Sequence, residues 1–183
     1  FIFKKKNVLK ILNVGRYVDQ KDQITLLRAV NILKKKINLD VKVIGRGTEK
    51  RRLENYILKN NLNNIVKLVG FKNNPYPFIK QTEIFILTSK FEGLPNVLLE
   101  AISLNKFVIS SNCSTGPNEI LDCGKGGLLY PVGNYKELAN KILFYSKNKI
   151  LCERKLNFAK KRLNRFNYKK NLNLYSKIIE EKL

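Results

Sequence analysis

The stretch SKFEGLPNVLLEAI, residues 89–102, decides the fold. The run EIFIL before it, residues 83–87, is short and apolar, as a parallel strand buried on both faces should be. Pro95 suits the first position of a helix, where its missing N–H costs nothing. Val97, Leu98 and Ala101 then recur at helical spacing. The segment therefore reads as strand, glycine-containing turn, helix. Backbone N–H groups of the turn and the first helical turn would face whatever lies beyond the strand's carboxyl end, which makes an anion site by geometry and dipole. Two carboxylates frame it: Glu92 before the helix and Glu100 on it, eight residues apart. Eight residues is a little over two helical turns, which predicts Glu100 on the same side as the turn.

The same unit repeats on both sides of this stretch. Residues 8–14, 41–44, 65–69, 107–110 and 127–130 read as further strands. Helices are predicted from Asp22 to Leu33, from a Thr48 cap to Lys59, from Pro75 and Pro77, from Pro117 to Asp122, and from an Asn134 cap to about Lys147. Two basic helices close the chain. In the first helix Ile24, Leu27, Val30 and Ile32 mark the apolar face. Strand and helix alternate six times without internal repeat, linker or low-complexity tract. The fold class is α/β: a doubly wound, Rossmann-like parallel sheet of about six strands with helices on both faces. Such sheets bind ligands outside the carboxyl ends of their strands. Gly15, Gly45, Gly47, Gly70 and Gly93 all follow strand ends, which points to one shared cleft. Arg16 and Lys21 join them just after the first strand. A guanidinium fork and an ammonium there would stabilise negative charge on a departing phosphate. The first turn carries no GxGxxG, which disfavours a nicotinamide dehydrogenase.

Glu92 and Glu100 with Gly93-Leu94-Pro95 between them resemble the Glu-x7-Glu signature of retaining GT-B glycosyltransferases of family four, the group 1 glycosyltransferases. The resemblance runs from Val8 to the last helix. It implies the C-terminal half of a GT-B fold: residues 1–183 form a single nucleotide-sugar-binding domain, and an N-terminal acceptor domain is absent from this chain. By the same resemblance Arg16 and Lys21 hold the donor diphosphate. Glu92 takes the transferred sugar's hydroxyls and Glu100 the ribose. Gly15, Gly93, Leu94, Pro95, Asn96 and Leu99 bring backbone and side chains close to sugar and phosphate. Gly45-Arg46 and Gly70-Phe71 border the nucleoside, although core packing is an equal alternative for Phe71. Tyr17 stands where Leu is commoner, and Asp22 where Gly is commoner. The STGPNEIL run, residues 114–121, is a further match, with plain helix capping as its alternative. The implied reaction is transfer, with retention, of a hexose or N-acetylhexosamine from a nucleotide sugar, UDP-linked by preference. The acceptor is a saccharide or a lipid-linked glycan, in bacterial surface polysaccharide synthesis. No metal and no cofactor beyond the donor are required, and the isolated domain is expected to be inactive.

Composition sets bounds around this reading. The 183 residues are 44% apolar, enough for a core. A net charge of +22 raises the alternative of a nucleic-acid or anionic-membrane partner. Heavy use of Lys, Asn and Ile with no His, Met or Trp is also what AT-rich coding gives. The basic run from Arg154 to Lys170 lies on amphipathic helices with little aromatic interleaving. It reads mainly as solvated surface, and it leaves open a peripheral position on the inner face of a membrane. No specific nucleic acid is expected. Cys113, Cys123 and Cys152 have no metal spacing, and no histidine completes a zinc site. They suggest a reducing cytoplasm. No apolar run reaches the roughly 18 residues of a membrane span. Residues 1–6 are too short in apolar length for a signal peptide, and the chain opens as if cut from a longer one. A nucleotide-sugar-binding module without transfer activity is the second alternative.

Overall fold

The computed structural model describes residues 8–180. The expectations for residues 1–6 lie outside them. Six parallel strands, β1 (Leu9–Val14), β2 (Leu39–Ile44), β3 (Val66–Gly70), β4 (Ile84–Leu87), β5 (Phe107–Ser111) and β6 (Leu128–Tyr130), form one sheet in the order β3-β2-β1-β4-β5-β6. The helices between and after them are α1 (Gln23–Leu33), α2 (Lys50–Lys59), α3 (Tyr76–Gln81), α4 (Asn96–Ser103), α5 (Pro117–Ile120), α6 (Tyr135–Lys147), α7 (Lys149–Lys161) and α8 (Tyr168–Glu180). A short 3-10 turn, Asp19–Lys21, precedes α1. The order of connection reverses between β1 and β4, so their carboxyl ends open a crevice there.

Alternation along each strand sends side chains to two cores. Ile11, Val41, Val43, Ile84, Ile86, Phe107 and Ile109 pack under α1 and α6, against Leu27, Val30, Leu138 and Ile142. Leu12, Ile44, Phe85, Leu87 and Val108 pack on the other face, against Ile79, Leu98, Ala101 and Ile102. This is the doubly wound α/β sheet that the alternation of elements predicts. The tight joint between the first two loops depends on Gly45. A Cβ there would stand 1.9 Å from the Gly15 carbonyl oxygen and 2.9 Å from the Tyr17 ring.

Several local expectations shift. Pro95 is the N-cap of α4, with ψ 91°, and Asn96 is the first helical residue. Glu92 and Glu100 are therefore not joined by continuous helix, and their spacing is not a helical repeat. Thr48 is exposed and does not cap α2, whose cap position is Glu49. On α1 the buried face is wider than the four residues read from the sequence. Leu26, Ala29 and Leu33 are fully buried, while Ile32 is only partly so. Asn134 does cap α6, its Oδ1 accepting from Glu137 N at 2.9 Å. The basic residues Arg154, Lys160, Lys161, Arg162, Lys169 and Lys170 are exposed. Among the described residues no helix is long and apolar enough to cross a membrane.

Candidate active site

The loops after β1 and β4 bring together two of the charged residues picked out from the sequence, Lys21 and Glu92; no ion pair or hydrogen bond joins the side chains of Arg16 or Glu100 to them among the described residues. Val14 ends β1, and Gly15, exposed Arg16 and Lys21 follow it. Lys21 leaves the 3-10 turn toward the loop after β4. Its Nζ reaches Oε1 of Glu92 at 2.5 Å. The Glu92 side chain is 7% exposed and that of Lys21 19%. Glu92 is thus folded in against a cation. Ser89 Oγ donates to the same Oε1, also at 2.5 Å.

The two loops are bound to each other along their length. Lys90 N donates to Gln20 O at 2.8 Å and Gln20 Nε2 to Phe91 O at 3.0 Å. Lys90 Nζ pairs with Asp19, and Thr88 Oγ1 donates to Lys21 O at 2.6 Å. A third loop joins from β5. Thr115 Oγ1 donates to the Glu92 carbonyl, and Ser111 Oγ donates to Ser89 O at 2.7 Å. Gly116 packs so close that a Cβ would stand 2.0 Å from Gly93 O. Thr115 is thus a tie to the Glu92 loop and not a cap for α5, whose N-cap is Gly116 with no side-chain bond.

Asp22 has φ 44°, a left-handed conformation that favours glycine. Its carboxylate accepts from Thr25 Oγ1 at 2.7 Å. Burial pushes that carboxyl above its ordinary range. Tyr17, in place of a smaller aliphatic side chain, is fully buried, and its hydroxyl donates to Val43 O at 2.8 Å.

On the β2 and β3 side, Phe71 is 54% exposed, which removes the core-packing alternative. The Arg46 guanidinium lies 4.7 Å from its ring centroid, a cation–π pair between the loops after β2 and β3. Gly45 and Gly70 fix the backbone beside it through Gly45 N to Gly70 O at 3.1 Å. On α4, Asn96 and Glu100 are four residues apart and so share a face. Glu100 is half-buried and Asn96 exposed. Leu94 is exposed, Pro95 is buried under Gly116, and Leu99 packs against the core around Leu98. The sequence alone gives no role to Ser89, Ser111 or Thr88, and it offers Thr115 only as part of the 114–121 run. Ser89 carries a faint signal, since it stands three residues before Glu92, but that spacing resembles a capping box where no helix begins.

A doubly wound sheet of this kind opens its ligand crevice at the switch point, where Lys21 and Glu92 meet. Residues 2–162 match the family described as glycosyl transferases group 1, and the chain belongs to that family. An uncharacterized glycosyltransferase of Methanocaldococcus jannaschii is 43% identical over 121 residues, 66% of this chain and 29% of that protein. A Campylobacter jejuni protein named as an N-acetylgalactosamine-N,N'-diacetylbacillosaminyl-diphospho-undecaprenol 4-alpha-N-acetylgalactosaminyltransferase is 36% identical over 124 residues, 68% of this chain and 33% of that one. The chain spans less than half the length of these relatives. Among solved structures, Anabaena HepE in complex with UDP and glucose superposes with a TM-score of 0.84 at 21% identity, over 97% of this chain and 49% of that one. Staphylococcus aureus TarM gives a TM-score of 0.84 at 22% identity, over 95% of this chain and 36% of that one. At these identities the superpositions establish the fold, the Rossmann-like C-terminal domain of GT-B proteins.

Proposed function

We propose that this chain is the donor-binding half of a retaining glycosyltransferase. It takes a hexose or N-acetylhexosamine from a UDP-linked donor for a saccharide or lipid-linked acceptor held by a separate N-terminal domain. The observation that carries this reading is the meeting of Lys21 and Glu92 at the switch point, with Arg16 exposed in the same loop as Lys21. A nucleoside diphosphate leaving group gains negative charge as the glycosidic bond breaks. Arg16 and Lys21 are the cations placed to receive it, and no metal is needed for that purpose. Glu92 is poorly suited as a nucleophile. Its Oε1 accepts from the buried Ser89 hydroxyl, which ties the carboxylate to its own loop and restrains it from advancing on the anomeric carbon. The reading therefore gives Glu92 the sugar hydroxyls and leaves the donor phosphate to help deprotonate the acceptor on the leaving-group face. Glu100, one turn along α4 from Asn96, takes the ribose; Arg46 and Phe71 border the base. HepE in complex with UDP and glucose, and the N-acetylgalactosaminyl transfer named for the Campylobacter relative, favour this donor class.

Calorimetry of the chain with UDP and UDP-sugars, without added metal, tests the reading. Weak binding is expected. Glu100→Ala should weaken UDP and UDP-sugar alike, by about ten- to a hundredfold if hydrogen bonds to a charged acceptor are lost. No binding of any nucleoside diphosphate or sugar nucleotide at millimolar concentration would overturn it.

A further inference from the structure

Glu92 is held at its backbone by one tie and at its side chain by two donors of different character. Its backbone is fixed by Thr115 Oγ1 on the carbonyl, from the loop after β5. Its side chain has two donors, Lys21 Nζ and Ser89 Oγ, both on Oε1 at 2.5 Å. Oε2 accepts no hydrogen bond among the described residues, nor is it among the buried polar atoms that lack a partner, so it keeps contact with solvent. A diphosphate binding beside Arg16 and Lys21 offers the Lys21 ammonium a stronger, doubly charged partner. Lys21 can follow it, because its side chain is long and 19% exposed. Ser89 cannot follow. It is fully buried, and its own carbonyl accepts from Ser111 Oγ at 2.7 Å, from a β5 residue that is itself buried.

We propose that Ser89, seated by Ser111, is the positioning residue for Glu92: it keeps Oε1 pinned when Lys21 turns to the donor diphosphate, so that Oε2 stays aimed at the hydroxyls of the transferred sugar. This rests on the donor-site reading above and goes beyond it. The geometry divides two tasks between the two donors on one carboxylate oxygen. Lys21 neutralises Glu92 through the ion pair and leaves it when the donor binds. Ser89 supplies a neutral hydrogen bond from a buried side chain, which orients the carboxylate without competing for the phosphate.

The test compares UDP with UDP-glucose, UDP-galactose and their N-acetylamino forms by calorimetry on the chain and its variants. In the unsubstituted chain at least one sugar should bind more tightly than UDP alone, by at least about tenfold. Ser89→Ala should leave UDP affinity within about twofold and abolish that gain. Ser111→Ala, which frees the Ser89 carbonyl but leaves its hydroxyl, should reduce the gain partially. A purely structural role would lower UDP and UDP-sugar affinity together, with a falling melting temperature, and that result overturns the proposal. So does a sugar gain that both variants keep, or the lack of any gain in a chain that binds UDP. Failure of the unsubstituted chain to bind UDP at all instead removes the donor-site reading beneath it.

Discussion

At the scale of single residues, glycine in this crevice has two separable causes. Gly45 is glycine because the protein's own backbone lies 1.9 Å from where its Cβ would be. Gly93 has no such reason: nothing lies within 4 Å of its would-be Cβ, and its φ is not in the left-handed region. Its surroundings are space that a bound molecule can occupy. Gly93→Ala should therefore leave the melting temperature within a degree or two, since surface changes of this kind cost little. It should weaken donor binding by tenfold or more, as overpacking against a ligand costs about 1–3 kcal/mol. Thermal melts beside calorimetry with UDP-sugar check both halves; a destabilised variant with normal binding would contradict it. The identity of the charged residues here was legible in the sequence, because charge just after a strand end has few structural uses. Their pairing was not. Lys21 and Glu92 stand 71 positions apart, and only the strand order brings the ends of β1 and β4 together. The serine and threonine ties were illegible for another reason: a hydroxyl at a loop position signals nothing until its partner carbonyl is known.

At the scale of elements, strands and long helices were readable because apolar period and glycine punctuation agree over their whole length. The ends were less so. Pro95 and Thr48 carry the right chemistry for the start of a helix, yet each sits just outside the helical residues. Loop ties to neighbouring strands, invisible locally, set where the turn closes. Asp22 shows the same conflict within one residue. The junction between the 3-10 turn and α1 needs a left-handed backbone, and the chain meets that need with a buried aspartate. Burial raises its carboxyl pKa above the unfolded value. A raised carboxyl favours the folded state at low pH, where it is protonated, and that contribution disappears as pH rises through the folded value. Asp22→Asn keeps an acceptor for Thr25 Oγ1, tolerates φ 44° and carries no charge. The variant should melt higher than the parent at pH 7, with the difference shrinking as pH falls toward 4. Melting curves across that range decide it, and an Asn variant less stable at pH 7 would mean that the Asp22 charge is used by its basic neighbours.

At the scale of the whole molecule, the six parallel strands present one continuous carboxyl edge, and two buried tyrosines are locked into it. The Tyr17 hydroxyl donates to Val43 O of β2, and the Tyr130 hydroxyl to Leu87 O of β4 at 3.2 Å. Both side chains are essentially inaccessible, so both phenols must stay neutral in the fold. Burial pushes Tyr17 from 10.0 up to about 12, and Tyr130 well above its ordinary value. A phenol with a raised folded pKa contributes stability that is intact below pH 10, where it is protonated in both states. That stability is lost as pH climbs from 10 toward 12, because the unfolded chain releases its proton first. Tyr17→Phe should cost about 1 kcal/mol at pH 8, the net worth of one hydrogen bond. The variant cannot ionise at that position, so the gap between parent and variant should narrow between pH 10 and 12 while both melt lower. Lysine deprotonation acts on both proteins alike and drops out of the difference. Melting temperatures measured in parallel at half-unit steps from pH 8 to 11.5 give the curve. A gap that stays constant across that range would show that the Tyr17 phenol ionises as readily in the fold as in the unfolded chain, and that the β2 edge opens to water before the sheet melts.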